Sequence, residues 1–114
     1  MINVLFQINK TGFTFLKAQG HALFAQKGED VVCAAVSALI ETLAFGLRYT
    51  LKLEIPSQLE YSKAEGSLMM TIHQDQISLE QRHILNHYYH TFYYALKQIE
   101  KQHTPFLKII QEET

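Results

Sequence analysis

The run Val31 to Leu47, VVCAAVSALIETLAFGL, is almost wholly apolar, rich in alanine and free of proline. It is too long for one strand, and too short and too interrupted for a membrane span. It is expected to form a buried helix from about Asp30 to Leu51. Asp30 is a favoured N-cap type, because its carboxylate can accept from the exposed N–H groups of a first turn. Cys33 then falls at about the third helical position. Small residues at Ala34, Ala35, Ser37 and Ala38 let another element approach the backbone. Gly46 costs about 1 kcal/mol against alanine inside a helix, and permits close packing or a local bend. Arg48 and Lys52 suit the negative C-terminal end, and Ile55-Pro56 breaks the pattern.

Around this helix the chain reads as hairpins. Ile2, Val4, Phe6 and Ile8 alternate with Asn3, Leu5, Gln7 and Asn9, the period of a half-buried strand. Asn9 to Gly12 is a turn signal, and Phe13 to Gln19 is the return strand. Its alternation is imperfect. Gly20 ends that strand and allows a close backbone approach just before His21. Residues 22–29 form the connection to the helix, either an ordinary loop with Leu23 and Phe24 tucked inward or a lid over the thiol.

Gln58 to Ser62 reads as a short strand, Lys63 to Gly66 as a turn, and Leu68, Met70 and Ile72, alternating with Met69, Thr71 and His73, give the partner strand. The methionines are core filler. Ser78 with Gln81 makes a capping-box pattern at the start of a second helix. Its apolar stripe is Leu85, Tyr88, Tyr89, Phe92, Leu96 and Ile99. Thr104-Pro105 stops it, Phe106 to Ile110 is a last strand, and QEET is a frayed tail. The predicted architecture is α+β: a two-layer sandwich in the order ββαββαβ, with a mainly antiparallel sheet and both helices on one face.

The 114 residues are expected to make one domain, 1–114, burying about 65% of the unfolded surface. The net charge of −1 gives no strong pull toward nucleic acid or an anionic membrane, so neither is an expected partner. A single cysteine excludes an internal disulfide and suits a reducing cytosol. INVLFQINK alternates and lacks the charged start of a secretory leader, so a cytoplasmic location is expected.

Chemistry centres on Cys33, with Asp30 three positions and His21 twelve positions upstream. A thiol at a helix start beside an imidazole can have its pKa lowered from about 8.5 into the range ~3.5–7.5. His21 is placed to accept the thiol proton and return it to a leaving amine. Asp30 has three open roles: capping the helix, orienting His21, or meeting substrate. Ser37 lies one turn after Cys33 and either faces the same side or bonds back to its own helix. The plain alternative is a buried cysteine acting as a small hydrophobe. A redox sensor would lack a resolving cysteine in this chain. His83, His87 and His90 share one helix face. Without a neighbouring cysteine or carboxylate they read as a solvated polar face, so no metal is expected. Tyr93 and Tyr94 flank the apolar stripe and suit a dimer surface.

The motif GHA followed by GEDVVCAAVSAL resembles the ribosomal-processing cysteine protease family of bacteria, often called Prp. The matching residues are Gly20, His21, Ala22, Gly28, Asp30, Val32, Cys33, Ala34, Ala35 and Ser37. The resemblance implies a His21–Cys33 dyad without a cofactor, supported by Gly20, Asp30, Ala34 and Ser37. It also implies removal of a short N-terminal extension from a large-subunit ribosomal protein, the twenty-seventh in the standard numbering, and a homodimer. The N–H groups of Cys33 and Ala34 are candidates for holding an oxyanion. Because the family's substrate is apolar and aromatic, Leu23 and Phe24 are expected to line its groove. The competing expectation is a non-enzymatic ribosome-associated binding module with a structural Cys33.

Overall fold

The structure is a computed structural model. It describes residues 1–20 and 29–114, with side chains in the second segment described from residue 31 onward. The expectations at His21, Leu23 and Phe24, the loop 22–29, and the side chain of Asp30 lie outside the described residues.

Strand β1 (Ile2–Asn9) and strand β2 (Gly12–Gln19) form the first hairpin. Helix α1 (Glu29–Phe45) follows. Strands β3 (Leu59–Ala64) and β4 (Ser67–Ile72) form the second hairpin. Helix α2 (Leu79–Gln102) and strand β5 (Leu107–Glu113) complete the chain. The sheet order is β3-β4-β2-β1-β5. Every neighbouring pair is antiparallel except β1 with β5, which run parallel. The α+β order is the one the periodicities predict.

One face of the sheet carries the core. Ile2, Val4 and Phe6 of β1, Leu16 and Ala18 of β2, Leu68, Met70 and Ile72 of β4, and Leu107 and Ile109 of β5 are all buried. They join Val32, Val36, Ile40 and Leu43 of α1 and Leu85, Tyr89 and Leu96 of α2 in one hydrophobic cluster. Both helices therefore cover the same face. By length and composition Val31–Thr50 is apolar enough to cross a membrane. In the fold its inner stripe is spent on the sheet, as burial of apolar area favours.

Several elements differ in detail from expectation, each for a local reason. The uneven alternation of β2 is a bulge: Gln7 pairs with Phe15 and Ile8 with Phe13, leaving Thr14 as the extra residue. Phe13 and Leu16 thus both point inward, and the Thr14 hydroxyl donates to the Gln7 carbonyl at 3.1 Å. Helix α1 does not continue regularly to Leu51. From Gly46 to Thr50 it becomes a single π-turn, with the Leu51 N–H donating to the Gly46 carbonyl at 2.9 Å. A Cβ on Gly46 would come within 2.9 Å of Tyr88 Cε1, so this glycine serves both as the bend and as the close contact with α2.

The second hairpin turns on Glu65-Gly66 alone, with Gly66 at φ 74°. Lys63 and Ala64 therefore belong to β3 rather than to the turn. The tail predicted to fray is instead the end of β5, where Gln111, Glu112 and Glu113 pair with Phe6, Gln7 and Ile8. Polar side chains do not prevent this, because an edge strand is held through its backbone. The Ser78–Gln81 capping box forms as expected, with both bonds at 2.9–3.0 Å. Tyr93 is a core partner rather than a free surface ring, lying 5.4 Å from Phe6 and 5.7 Å from Tyr89, while Tyr94 is exposed.

Candidate functional site

A cleft of about 270 Å³ opens where the end of β2, the start of α1 and the second hairpin converge. Its floor is apolar: Ile2, Ala18, Val36 and Leu68, one from each of four elements. Cys33 and Ser37 line it from α1, Gly20 from the end of β2, and Lys63 to Ser67 from the hairpin.

The thiol owes its place to helical phase. Val32 and Val36 point into the core, which turns Cys33 and Ser37 toward the rim at half-burial. The helix is described from Glu29, so Cys33 is at least its fifth residue rather than its third. The N–H of a fifth residue already takes part in intrahelical bonding. The backbone N–H groups of Cys33 and Ala34 are thus poor oxyanion donors, and the helix dipole acts more weakly on the thiol than a first-turn position would allow. Asp30 likewise lies inside the first turn rather than at the cap. Ala34 is exposed and does not line the cleft.

Gly20 is constrained twice. Its φ of 115° is a conformation that L side chains rarely adopt, and a Cβ there would run into the carbonyl oxygen of Met1. Its N–H donates to the Gly66 carbonyl at 3.2 Å. This bond ties the end of β2 to the turn of the second hairpin, so two walls of the cleft are fastened together.

The hairpin wall was not foreseen, because nothing in local sequence links residues 63–67 to Cys33. The register supplies the link. Lys63 faces the helix layer opposite Leu68, and its Nζ meets Glu41 Oε1 at 2.6 Å. Glu41 lies two turns beyond Cys33 on the same stripe of α1 as Ser37. The hydrogen bond with Glu41 raises the Lys63 pKa above its usual value. On the same face of β3, partial burial and then the Glu41 charge raise the Tyr61 phenol. Its hydroxyl is buried with no hydrogen-bond partner among the described residues. His83, His87 and His90 are exposed, and no group of metal-ligating side chains occurs among the described residues.

A half-buried thiol on the wall of an apolar cleft, carried by a five-stranded α+β sandwich, defines a class of small thiol-bearing domain. The family model described as "Cysteine protease Prp" matches residues 1–108, and the chain belongs to that family. It is similar to the ribosomal processing cysteine protease Prp of Mycoplasma genitalium, 69% identical over 26 residues, which is 23% of this chain and 26% of that protein. The corresponding protein of Mycoplasma pneumoniae is 72% identical over 25 residues, 22% of this chain and 25% of that protein. These matches span about a quarter of the length of each curated relative.

Among solved structures, the fold is similar to SMU.848 from Streptococcus mutans, with a TM-score of 0.80 and 21% identity over 100% of this chain and 96% of that one. It is also similar to an essential ribosomal processing protease Prp from S. aureus in complex with a substrate peptide. There the TM-score is 0.79 and the identity 17%, over 98% of this chain and 100% of that one. The same S. aureus protein with a covalently linked product peptide gives a TM-score of 0.73 at 21% identity, again over 98% of this chain and 100% of that one.

Proposed function

We propose that this protein is a cysteine endopeptidase that removes a short N-terminal extension from a large-subunit ribosomal protein, the twenty-seventh, in the cytoplasm and as a homodimer. The observation that carries the reading is the half-buried Cys33 lining an apolar cleft together with Gly20, the residue that precedes His21 in the chain. Family membership supplies the reaction class.

In this reading His21 takes the proton from Cys33 Sγ, and the thiolate attacks the scissile carbonyl carbon. The C–N bond breaks, and the departing amine takes the proton held by His21. Water, deprotonated by His21, then cleaves the thioester, releasing the carboxylic acid and restoring the thiol. Because Cys33 lies beyond the first helical turn, its ionisation depends more on His21 than on the helix dipole. The apolar floor of Ile2, Ala18, Val36 and Leu68 suits an apolar side chain next to the scissile bond. Leu23 and Phe24 are proposed as further groove residues.

The test is incubation with a synthetic peptide spanning the extension junction of the host's own ribosomal protein, read by mass spectrometry. Native protein is expected to give two fragments, and Cys33→Ser none above background. Iodoacetamide should label native Cys33 rapidly at neutral pH and more slowly in His21→Ala. An intact peptide, with a thiol that reacts only after denaturation, would favour a binding module instead.

A further inference from the structure

A protease that cuts within a chain must first hold that chain extended. Strand β3 offers a place to do so. It is an edge of the sheet, paired only with β4 among the described residues. The His73 N–H donates to the Gln58 carbonyl at 3.0 Å, which sets the phase of the ladder. Bonded pairs in an antiparallel ladder alternate with unbonded ones. The bonded pairs are then Glu60 with Thr71, Ser62 with Met69, and Ala64 with Ser67 at the turn. Between them, Tyr61 and Lys63 direct their N–H and C=O groups away from β4. Neither has a backbone partner on that side among the described residues. The Leu59 N–H is already bonded to the Glu54 carbonyl at 3.0 Å, so the open stretch begins at Tyr61.

This open edge leads directly to the thiol. Lys63, at its far end, lines the same cleft as Cys33, as do Ala64 and Glu65 after it. The side chains of Tyr61 and Lys63 lie on the helix side of the sheet, opposite Met70 and Leu68. A strand laid along this edge would therefore place alternate side chains beside the Tyr61 ring and the Lys63–Glu41 pair.

We propose that the outer edge of β3 at Tyr61 and Lys63 docks the substrate: an extended peptide adds there as a sixth strand and passes one end into the cleft beside Cys33. The inference rests on the protease reading above. Main-chain bonds would supply affinity, and the cleft would supply side-chain selectivity.

The test uses Cys33→Ser protein and a fluorescein-labelled junction peptide carrying a single N-methyl group at each amide in turn. Affinity is expected to fall about 5–10-fold at alternate positions along the docked stretch, with a smaller effect between them. A second arm compares Lys63→Pro with Lys63→Ala in otherwise native enzyme. Both lack the ammonium, but only proline lacks the outward N–H, and an edge strand accepts proline where its N–H faces out. The proline variant should show a KM about 5–10-fold above that of the alanine variant, with a similar kcat. If it does not fold, the methylation scan decides alone.

A peptide that is cut normally but shows no alternating pattern overturns the docking and leaves the protease reading intact. A peptide that neither binds nor is cut overturns both. Loss of dimers in Lys63→Pro with unchanged peptide affinity would assign this edge to a second copy of the chain and overturn the proposal.

Discussion

The first hairpin has two ends built to opposite rules. Toward its turn, β1 and β2 contribute Phe6 and Phe13, which meet the α2 rings. Phe6 lies edge-on to Tyr89 at 5.5 Å, Phe13 stacks on Tyr89 at 5.1 Å, and Tyr93 stacks on Tyr89 in turn. The Tyr89 hydroxyl donates to Gln111 on β5, and burial pushes its pKa well above the usual phenol range. At the other end the same two strands contribute Ile2, Ala18 and Gly20, facing Ser37, Ala64 and Gly66. Large rings interdigitate and leave no room, whereas small side chains leave a cleft. One sheet thus holds a tightly filled region beside an open cleft, and the difference lies in side-chain volume rather than in backbone.

Substitutions should divide along the same line. The largest effect is expected from Phe6→Ala, which removes a fully buried ring touching three aromatic partners. It should cost about 3–5 kcal/mol in urea unfolding. If the folded fraction still turns over the junction peptide at a near-native rate, the two ends are functionally separate; a proportionate loss of turnover would merge them. Gly20→Ala should cost about 1–3 kcal/mol from its backbone conformation alone, with the Met1 carbonyl adding to it. Here turnover should fall more than stability does, because the strained residue is the cleft's own rim. Equal losses would argue that Gly20 serves only the fold.

The smallest effect is expected at Glu100, where α2 meets β5 at the far edge of the sheet from the second hairpin. Partial burial acts to raise its pKa. Hydrogen bonds from Lys97 at 2.7 Å and from the Ile109 N–H at 2.5 Å outweigh this and hold it below the usual carboxylate range. A carboxyl group whose folded pKa is depressed adds stability above its unfolded pKa, and that stability is lost as pH falls through the folded value. Native protein should therefore be more stable than Glu100→Gln at neutral pH. Thermal unfolding curves of the two should converge as pH drops below the ordinary range for glutamate. A gap that persists at low pH would show that charge is not the cause.

Much of this fold was legible because period and punctuation agreed. Alternation marked β1 and β4, Ser78 with Gln81 marked the start of α2, and the apolar run marked α1. The failures share a cause. The Thr14 bulge shifts the phase of β2 with no residue signature of its own, so its two-sided pattern looked merely irregular. Gln111 to Glu113 looked like a polar tail because strand propensity reflects side-chain packing, whereas this segment is held by backbone pairing with β1. At the site, the motif around Cys33 could be read locally. Lys63 to Ser67 could not, since they reach the thiol only through the register of β3 on β4 and the bond from Gly20 to Gly66.

The π-turn after Phe45 has a mechanical meaning for the thiol. On α1, Cys33, Ser37 and Glu41 keep one angular bearing toward the hairpin, while Val32, Val36, Ile40 and Leu43 keep another toward the sheet. The wider turn from Gly46 accommodates an extra residue before Leu51 closes it, with Leu47 and Leu51 both in the interior. Any mismatch in rotation between the two halves of this segment is taken up there. The bearing of the Cys33 thiol is thereby insulated from how the chain beyond Gly46 finds its seat.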